Sequence, residues 1–377
     1  MRNRRSSTPE GRGISAEERY YIASQWQLVW RKFRKHKLAV TGGVVLFIFY
    51  LLAAFAEFVA PYGPLERTDY RYHPPQRIRL VDAEGRFHFG FFVYGIEKTR
   101  DEETWSWKFA ENKSERYAIS FFVHGRPYRL WGLFETNLHL FGLQDPAAPL
   151  LLFGTDRLGR DLFSRIIYGT RVSLSIGLVG VAIAFALGCI LGGVSGYFGG
   201  TIDVIIQRVI EFFLSLPYIP LWMALAAAVP ADWPIIRTYF AITIIVSFMG
   251  WCQLARVVRG KLISVREEDY ILAAGIAGAK DRKIIIKHLL PSFLSYLIVS
   301  LTLSIPNMII GETALSFLGL GIRPPAVSWG ALLKGAQQVN VVALYPWLLI
   351  PGLFVITTVI AFSFLGDGLR DASDPYK

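Results

Sequence analysis

The sequence predicts an all-α polytopic membrane protein of six transmembrane helices carrying one inserted extracytoplasmic domain that contains β-hairpins. Three observations predict it. Of 377 residues, 53% are hydrophobic and the mean hydropathy is +0.38, more apolar surface than a water-soluble core of this length needs. Six apolar runs, residues 38–60, 171–195, 203–230, 237–257, 292–315 and 344–366, each approach the roughly 20 residues that cross a bilayer as helix. Between the first two runs lies a segment of different character, residues 61–165, long enough for a small domain.

Taken in order, residues 1–37 form a basic tail and then an aromatic and cationic stretch, WQLVWRKFRKHK, which fits a helix at the membrane surface leading into the first span. Residues 38–60 are an uncleaved anchor rather than a signal peptide, because the basic stretch before them is too long for an n-region. In the 61–165 insert, runs 77–81 and 86–94 flank Asp82 to Gly85, and runs 117–123 and 127–133 flank His124, Gly125 and Arg126. Both pairs read as hairpins. Two hairpins alone are marginal in water, so the insert is expected to pack against the outer mouth of the bundle.

Residues 166–370 form the remaining membrane core, and 371–377 a C-terminal tail. The second span carries Gly188, Gly192 and Gly196, a small-xxx-small spacing read as packing within the chain. The third is interrupted by Pro217 and Pro220, and its Arg208 and Glu211, three residues apart, suit mutual pairing. In the fifth, Pro306 is expected to break the helix, and Asn307 and Glu312 put polar atoms inside the bundle. Glu211, Asn307 and Glu312 are therefore the candidates for lining a translocation pathway.

The formal charge of +11 is unevenly placed: the first 37 residues and the stretch 256–287 are basic. Both then face the cytoplasm, and an even number of spans returns the C-terminus there. Basic residues flanking apolar helices, with no recognisable binding module, exclude a nucleic-acid partner and leave membrane lipid. There is no phosphate-binding GxxxxGK[ST] loop, no HExxH or CxxC spacing and only two cysteines, Cys189 and Cys252. Catalytic and metal residues are accordingly expected to be absent.

The most informative segment is 268–291, EDYILAAGIAGAKDRKIIIKHLLP, inside a loop at 258–291 between two spans. Ala273, Ala274, Ala277 and Gly278 fall at helical spacing and leave one face nearly bare for close approach of another backbone. Gly278 suits a left-handed helix end, Asp281 a cap for the next helix, and Pro291 the first turn of a new span.

The pattern Ala273, Ala274, Gly278, Leu290, Pro291 resembles the cytoplasmic coupling loop of ATP-binding-cassette importer permeases. It departs from that family at Leu272, where an acidic residue is usual, and at His288, where an aliphatic one is common. Trp30, Arg31, Phe33, Arg34, Lys37, Leu38 and Ala39 resemble the N-terminal signature of the peptide and nickel branch. The run from Gly154 through Thr155, Asp156, Gly159, Arg160 and Asp161 resembles the GTDxxGRD hallmark of its C-type subunits. Leu365, Gly366, Asp367, Leu369, Arg370, Asp371, Asp374 and Pro375 resemble its C-terminal signature.

The chain is thus similar to the C-type permease of a dipeptide, oligopeptide or nickel importer with the type I permease fold. The resemblance implies a multi-pass subunit of a bacterial inner membrane with both termini cytoplasmic, and Ala273, Ala274, Ala277, Gly278, Asp281, His288, Leu290 and Pro291 contacting an ATPase. It also implies a second homologous permease, one or two ATP-binding subunits, and an extracytoplasmic substrate-binding protein. ATP and Mg belong to the partner ATPase, and no cofactor to this chain. Peptides lead as cargo, with oligosaccharides, nickel complexes and opines also within the family. The contrasting reading is an ion-coupled secondary transporter, which needs a carboxylate relay or inverted repeats that the sequence does not display.

Overall fold

A computed structural model describes residues 25–100, 102, 107–145, 148–265, 267–279, 281–284 and 293–373. The chain opens with α1 (Gln25–Lys35), which turns at His36 into α2 (Lys37–Ala54) and a short α3 (Ala56–Val59). The insert contributes β1 (Arg79–Val81), β2 (Phe87–Arg100), β3 (Trp107–Leu130) and β4 (Phe134–Leu143). The core follows as α4 (Leu162–Phe198), α5 (Gly200–Ser215), α6 (Tyr218–Ala227), α7 (Ile235–Val265), α8 (Asp269–Ile276), α9 (Asp281–Ile284), α10 (Leu294–Phe317), α11 (Trp329–Leu333), α12 (Val339–Leu344) and α13 (Ile350–Ser373).

Among the described residues five helical segments are long and apolar enough to cross a membrane: α2, α4, α7, α10, and α13 with the 3₁₀ turn before it. A sixth crossing requires α5 and α6 together, and these are bent by 88°. The bend sits where the third apolar run meets its prolines. Pro217 takes the extended conformation at the N-cap of α6, and Pro220 falls in the first turn, where backbone N–H groups have no intrahelical partner. The second span begins at Leu162, nine residues before the predicted start. Arg165 and Arg171, which lower its apparent hydropathy, are each paired, with Asp156 and with Glu57.

Pro306 corrects another expectation. It does not break its helix: α10 runs through it without interruption. One lost hydrogen bond is tolerated because Pro306 is buried against neighbouring helices and the flanking bonds persist.

The insert is an antiparallel four-stranded sheet in the order β1-β2-β3-β4. Its first hairpin is as predicted, with Val81 opposite Phe87 and Asp82 accepting from the Arg86 amide at 2.8 Å. The second is not. Instead of turning at His124 to Arg126, β3 continues to Leu130, and the reversal comes at residues 131–133. Gly125 lies in a register shift between His124 and Tyr128, packed so tightly on His139 that a Cβ would stand 2.7 Å from its ring. A glycine read as a turn is therefore a bulge.

The ends of the bundle follow from helix pairing. Tyr239 Oη of α7 bonds Ser175 Oγ of α4 at 3.1 Å, and further along both helices Gly196 abuts Arg259, so the two helices run parallel. The α7 C-terminus and the segment after it thus lie at the end opposite the insert. Gly42 of α2 abuts Ala361 of α13, and His36 lies 3.8 Å from Asp371, which puts the described limits of both termini at that same end. Phe33 of α1 packs there on Ala39 and Ala372.

The sheet docks on the other end. Trp131 Nε1 donates to the Ala54 carbonyl at 2.7 Å, His139 Nδ1 meets the Ala60 carbonyl at 2.9 Å, and Phe141 packs edge-on against Phe163. Gly192 lies in the α4–α7 crossing, with an added Cβ only 2.5 Å from the Ala255 carbonyl. The small-xxx-small motif is a packing device inside the chain.

Candidate functional site

The segment after α7 is built as a short capped helix. The Glu268 amide donates to Val265 and the Ile271 amide to Glu268, so the chain turns once before α8 begins. At the other end of α8, Gly278 takes φ +77, and the Ala279 amide reaches back to the Ala274 carbonyl at 3.1 Å. This is the Schellman cap that the glycine was expected to make. Ile271 is buried with Leu262, Ile284 and Leu297, and Ala274 packs partly against them. Ala273, Ala277 and Gly278 face outward instead, next to an exposed Tyr270 and to Ile276, which is 90% exposed. The four small residues are thus divided: Ala274 toward the bundle, three toward solvent. Asp281 opens α9. His288, Leu290 and Pro291 lie outside the described residues.

A charged clamp stands beside this segment. Arg259 of α7 donates to Asp203 of α5 through Nε and Nη2, both at 2.6 Å, and Ser195 of α4 donates to the same carboxylate at 2.5 Å. Gln207 Nε2 adds a bond to Ser195 Oγ at 3.1 Å. Three helices are tied at the end of the bundle that carries α8. The pair joins residues 56 positions apart, which no local spacing in the sequence signals.

The three membrane-depth candidates do not converge. Arg208 Nη1 donates to Glu211 Oε2 at 2.8 Å on an exposed face of α5, the pairing that their spacing suits. Asn307 is exposed on α10. Glu312 is fully buried, accepting from Ser316 Oγ at 2.6 Å, with the hydroxyls of Ser173 and Ser328 beside it. Ser173 Oγ and Ser328 Oγ accept the amides of Trp329 and Ala331 at 3.1 and 3.2 Å. Glu312 therefore sits where α4, α10 and α11 meet, and its polar partners come from all three.

At the insert end, the GTDxxGRD run folds on its own aspartate. Asp156 Oδ1 accepts the amides of Leu158 and Arg160 at 2.8 and 3.1 Å, and Oδ2 takes Arg160 Nε at 2.8 Å and Arg165 Nη1 at 2.5 Å. Asp161 caps α4 through the Ser164 amide at 2.7 Å. Gly159, at φ +74, lies against the Thr68 backbone, which leaves no room for a side chain. Arg171 grips the end of α2: Nη1 and Nη2 each donate to Glu57 at 2.7 Å, and Nε to the Ala53 carbonyl at 2.9 Å. Among the described residues no cluster of His, Cys, Asp and Glu suits a metal ion.

The architecture is that of a helical membrane protein with a short, small-residue helix exposed at one end. Residues 161–376 match the family of binding-protein-dependent transport system inner membrane components, and residues 24–75 match the N-terminal transmembrane domain of oligopeptide transport permease C. The chain belongs to the first of these families, whose members are non-catalytic permease subunits of bacterial ATP-binding-cassette importers. It is 42% identical to the dipeptide transport system permease protein DppC of Bacillus subtilis over 59% of this chain and 68% of that one. With the oligopeptide transport system permease protein OppC of Haemophilus influenzae it shares 41% identity, over 61% of this chain and 73% of that one. Similarity to the dipeptide permease DppC of Alkalihalophilus pseudofirmus spans 98% of this chain and 95% of the relative, at 32% identity, and so includes the insert. A solved inward-facing structure of the MetNI methionine ABC transporter is similar at 19% identity with a TM-score of 0.45, covering 56% of this chain and 97% of that one; at that level the likeness carries no argument.

Proposed function

We propose that the chain is one of two related permease subunits of an ATP-driven importer that moves peptides, delivered by an external binding protein, into the cytoplasm. The names of the relatives support the cargo, since they are dipeptide and oligopeptide permeases. The reading rests above all on α8: a capped helix whose outward face is Ala273, Ala277 and Gly278, flanked by Tyr270 and Ile276. Small residues ringed by exposed apolar ones favour a close-fitting protein contact. One or two ATPase subunits, holding ATP and Mg, would dock there. The 258–291 segment, with Asp281, His288, Leu290 and Pro291, would carry their closure to α7 and α10, and the Asp203–Arg259 clamp would stiffen the link.

Sidedness follows. The described residues of both basic stretches lie toward the end of the bundle that carries α8, which supports a cytoplasmic position for that end and both termini and an outside position for the 61–165 insert. Glu211 and Asn307, on faces exposed in this single chain, are available to a pathway shared with the second permease, whereas Glu312 serves packing.

Gly278→Arg tests the coupling role. Its φ of +77 costs any side chain about 1 kcal/mol, and the guanidinium would stand in the outward face. In vesicles holding the assembled transporter, the variant is expected to remain membrane-inserted and to hydrolyse ATP without driving uptake, while Gly278→Ala, which bears the strain without the bulk, keeps most transport. Unchanged uptake by Gly278→Arg would overturn the reading.

A further inference from the structure

At the insert end of the bundle, a cavity of about 380 Å³ opens between the 156–165 run, the 319–326 loop and α11. Five of its lining residues are cationic, Arg157, Arg160, Arg165, Arg323 and Lys334, and Asp156 is the one acidic side chain among the lining residues described. Asp156 is already saturated. Its carboxylate takes two backbone amides and both Arg160 and Arg165, so two guanidiniums share one hydrogen-bonded carboxylate, while the buried Asp161 also acts on Arg165 through space. The side chains concerned are well shielded: Arg165 is 9% exposed, Arg160 14% and Asp156 11%. A buried guanidinium without a matching anion carries a desolvation cost that its surroundings do not return.

The hydrogen bonding is incomplete at the same place. Arg165 Nε is buried and has no partner among the described residues, although buried guanidinium donors are ordinarily all engaged. Asp161, four residues before Arg165, makes no hydrogen bond to it: its Oδ2 accepts the Ser164 amide as the cap of α4, and its Oδ1 is itself buried without a partner among the described residues. Arg323 and Lys334, on the rim of the cavity, make no ion pair within the described residues.

We propose that this cavity is a binding site for a carboxylate that enters from outside the chain. A monoanion offsets the predominantly cationic lining, and a planar carboxylate suits the two rim cations, Arg323 and Lys334. The volume admits the carboxylate with a short stretch of peptide attached. Two sources carry this chemistry: the main-chain terminus of a small peptide, and an aspartate or glutamate side chain on a docking protein. The inference goes beyond the transport reading and does not depend on it, since binding is measured on the chain alone.

The test uses the purified full-length chain in detergent, with the shift of its thermal unfolding midpoint as readout. Four probes are titrated: acetyl-trialanine with a free C-terminus, acetyl-Ala-Asp-Ala amide, acetyl-trialanine amide, and sulfate. Stabilisation by the first identifies a main-chain carboxylate and by the second a side-chain carboxylate. The neutral amide and sulfate should shift the midpoint less than either, and binding should weaken with added salt. Arg323→Gln and Lys334→Gln, both away from the buried pair, are each expected to weaken the preferred probe about five-fold, the worth of one partly exposed ion pair. Arg165→Gln, if it folds, should abolish the effect. Equal shifts from neutral and carboxylate probes, a sulfate response as strong as the carboxylate one, or undiminished binding by the double rim variant would each overturn the proposal.

Discussion

The clamp between Asp203 and Arg259 offers the sharpest test of how α8 is connected to the membrane helices. Asp203 and Arg259 form a two-pronged pair with both distances at 2.6 Å, and their side chains are 16% and 32% exposed. Ser195 anchors the same carboxylate. Removing one partner of a fully buried pair costs about 3 to 5 kcal/mol because the other charge is stranded. Partial exposure of Arg259 lets water screen the remnant, which reduces the expected loss to about 2 kcal/mol for Asp203→Asn or Arg259→Gln. Once one charge is gone the second is an orphan, so the double variant should be little worse than either single one. A double-mutant cycle on the purified protein, read by reversible unfolding in mixed micelles, should give a coupling energy of about 2 kcal/mol. If the two losses simply add, leaving coupling below about 0.5 kcal/mol, the pair does not hold the three helices and the reasoning fails.

Two further expectations rest on separate features. Gly192→Val puts a branched side chain where even a Cβ would be 2.5 Å from the Ala255 carbonyl; α4 and α7 must separate, and the loss of about 3 kcal/mol or more should appear as a collapse in the yield of folded protein, with Gly193→Ala as a tolerated control. Burial pushes the His73 imidazole down from 6.5 to about 4, so it stays neutral in the fold where a free histidine would take a proton. Its contribution is present in full above pH 6.5 and is lost as pH falls toward 4, up to about 3 kcal/mol for that shift. Protease resistance of the 68–76 segment, which hydrogen-bonds to residues 151–159, should fall between pH 6.5 and 5, and His73→Gln should remove the dependence; a pH-independent wild type argues against a neutral buried ring.

Local patterns were readable wherever a few neighbouring residues settle the geometry. The first hairpin is of this kind, closed by Asp82 through Gly85. So is the cap at Gly278, where an achiral residue at a helix end admits φ +77 at little cost. Arg208 and Glu211, one helical turn apart, could be paired from spacing alone.

The misreadings share a different cause. Gly125 looks the same in sequence whether it makes a turn or a bulge, and packing against His139, fourteen residues on, selects the bulge. Pro306 was expected to break its helix on local grounds, but neighbouring helices hold α10 straight through it. Hydropathy placed the start of the second span at residue 171 because it counts Arg165 as a free charge, whereas Asp156 pairs with it.

By itself, then, the sequence determined that this is a membrane protein with six apolar segments, a β-containing insert and one small-residue helix in a basic loop, because apolar length, charge placement and turn chemistry are properties of short stretches of chain. Tertiary structure alone decided which charges distant in sequence meet. Asp203 and Arg259 are 56 residues apart, Glu57 and Arg171 are 114 apart, and the cavity cations come from 157–165 and 323–334. An ion pair is set by distance in space, and only the packing of whole helices fixes that distance.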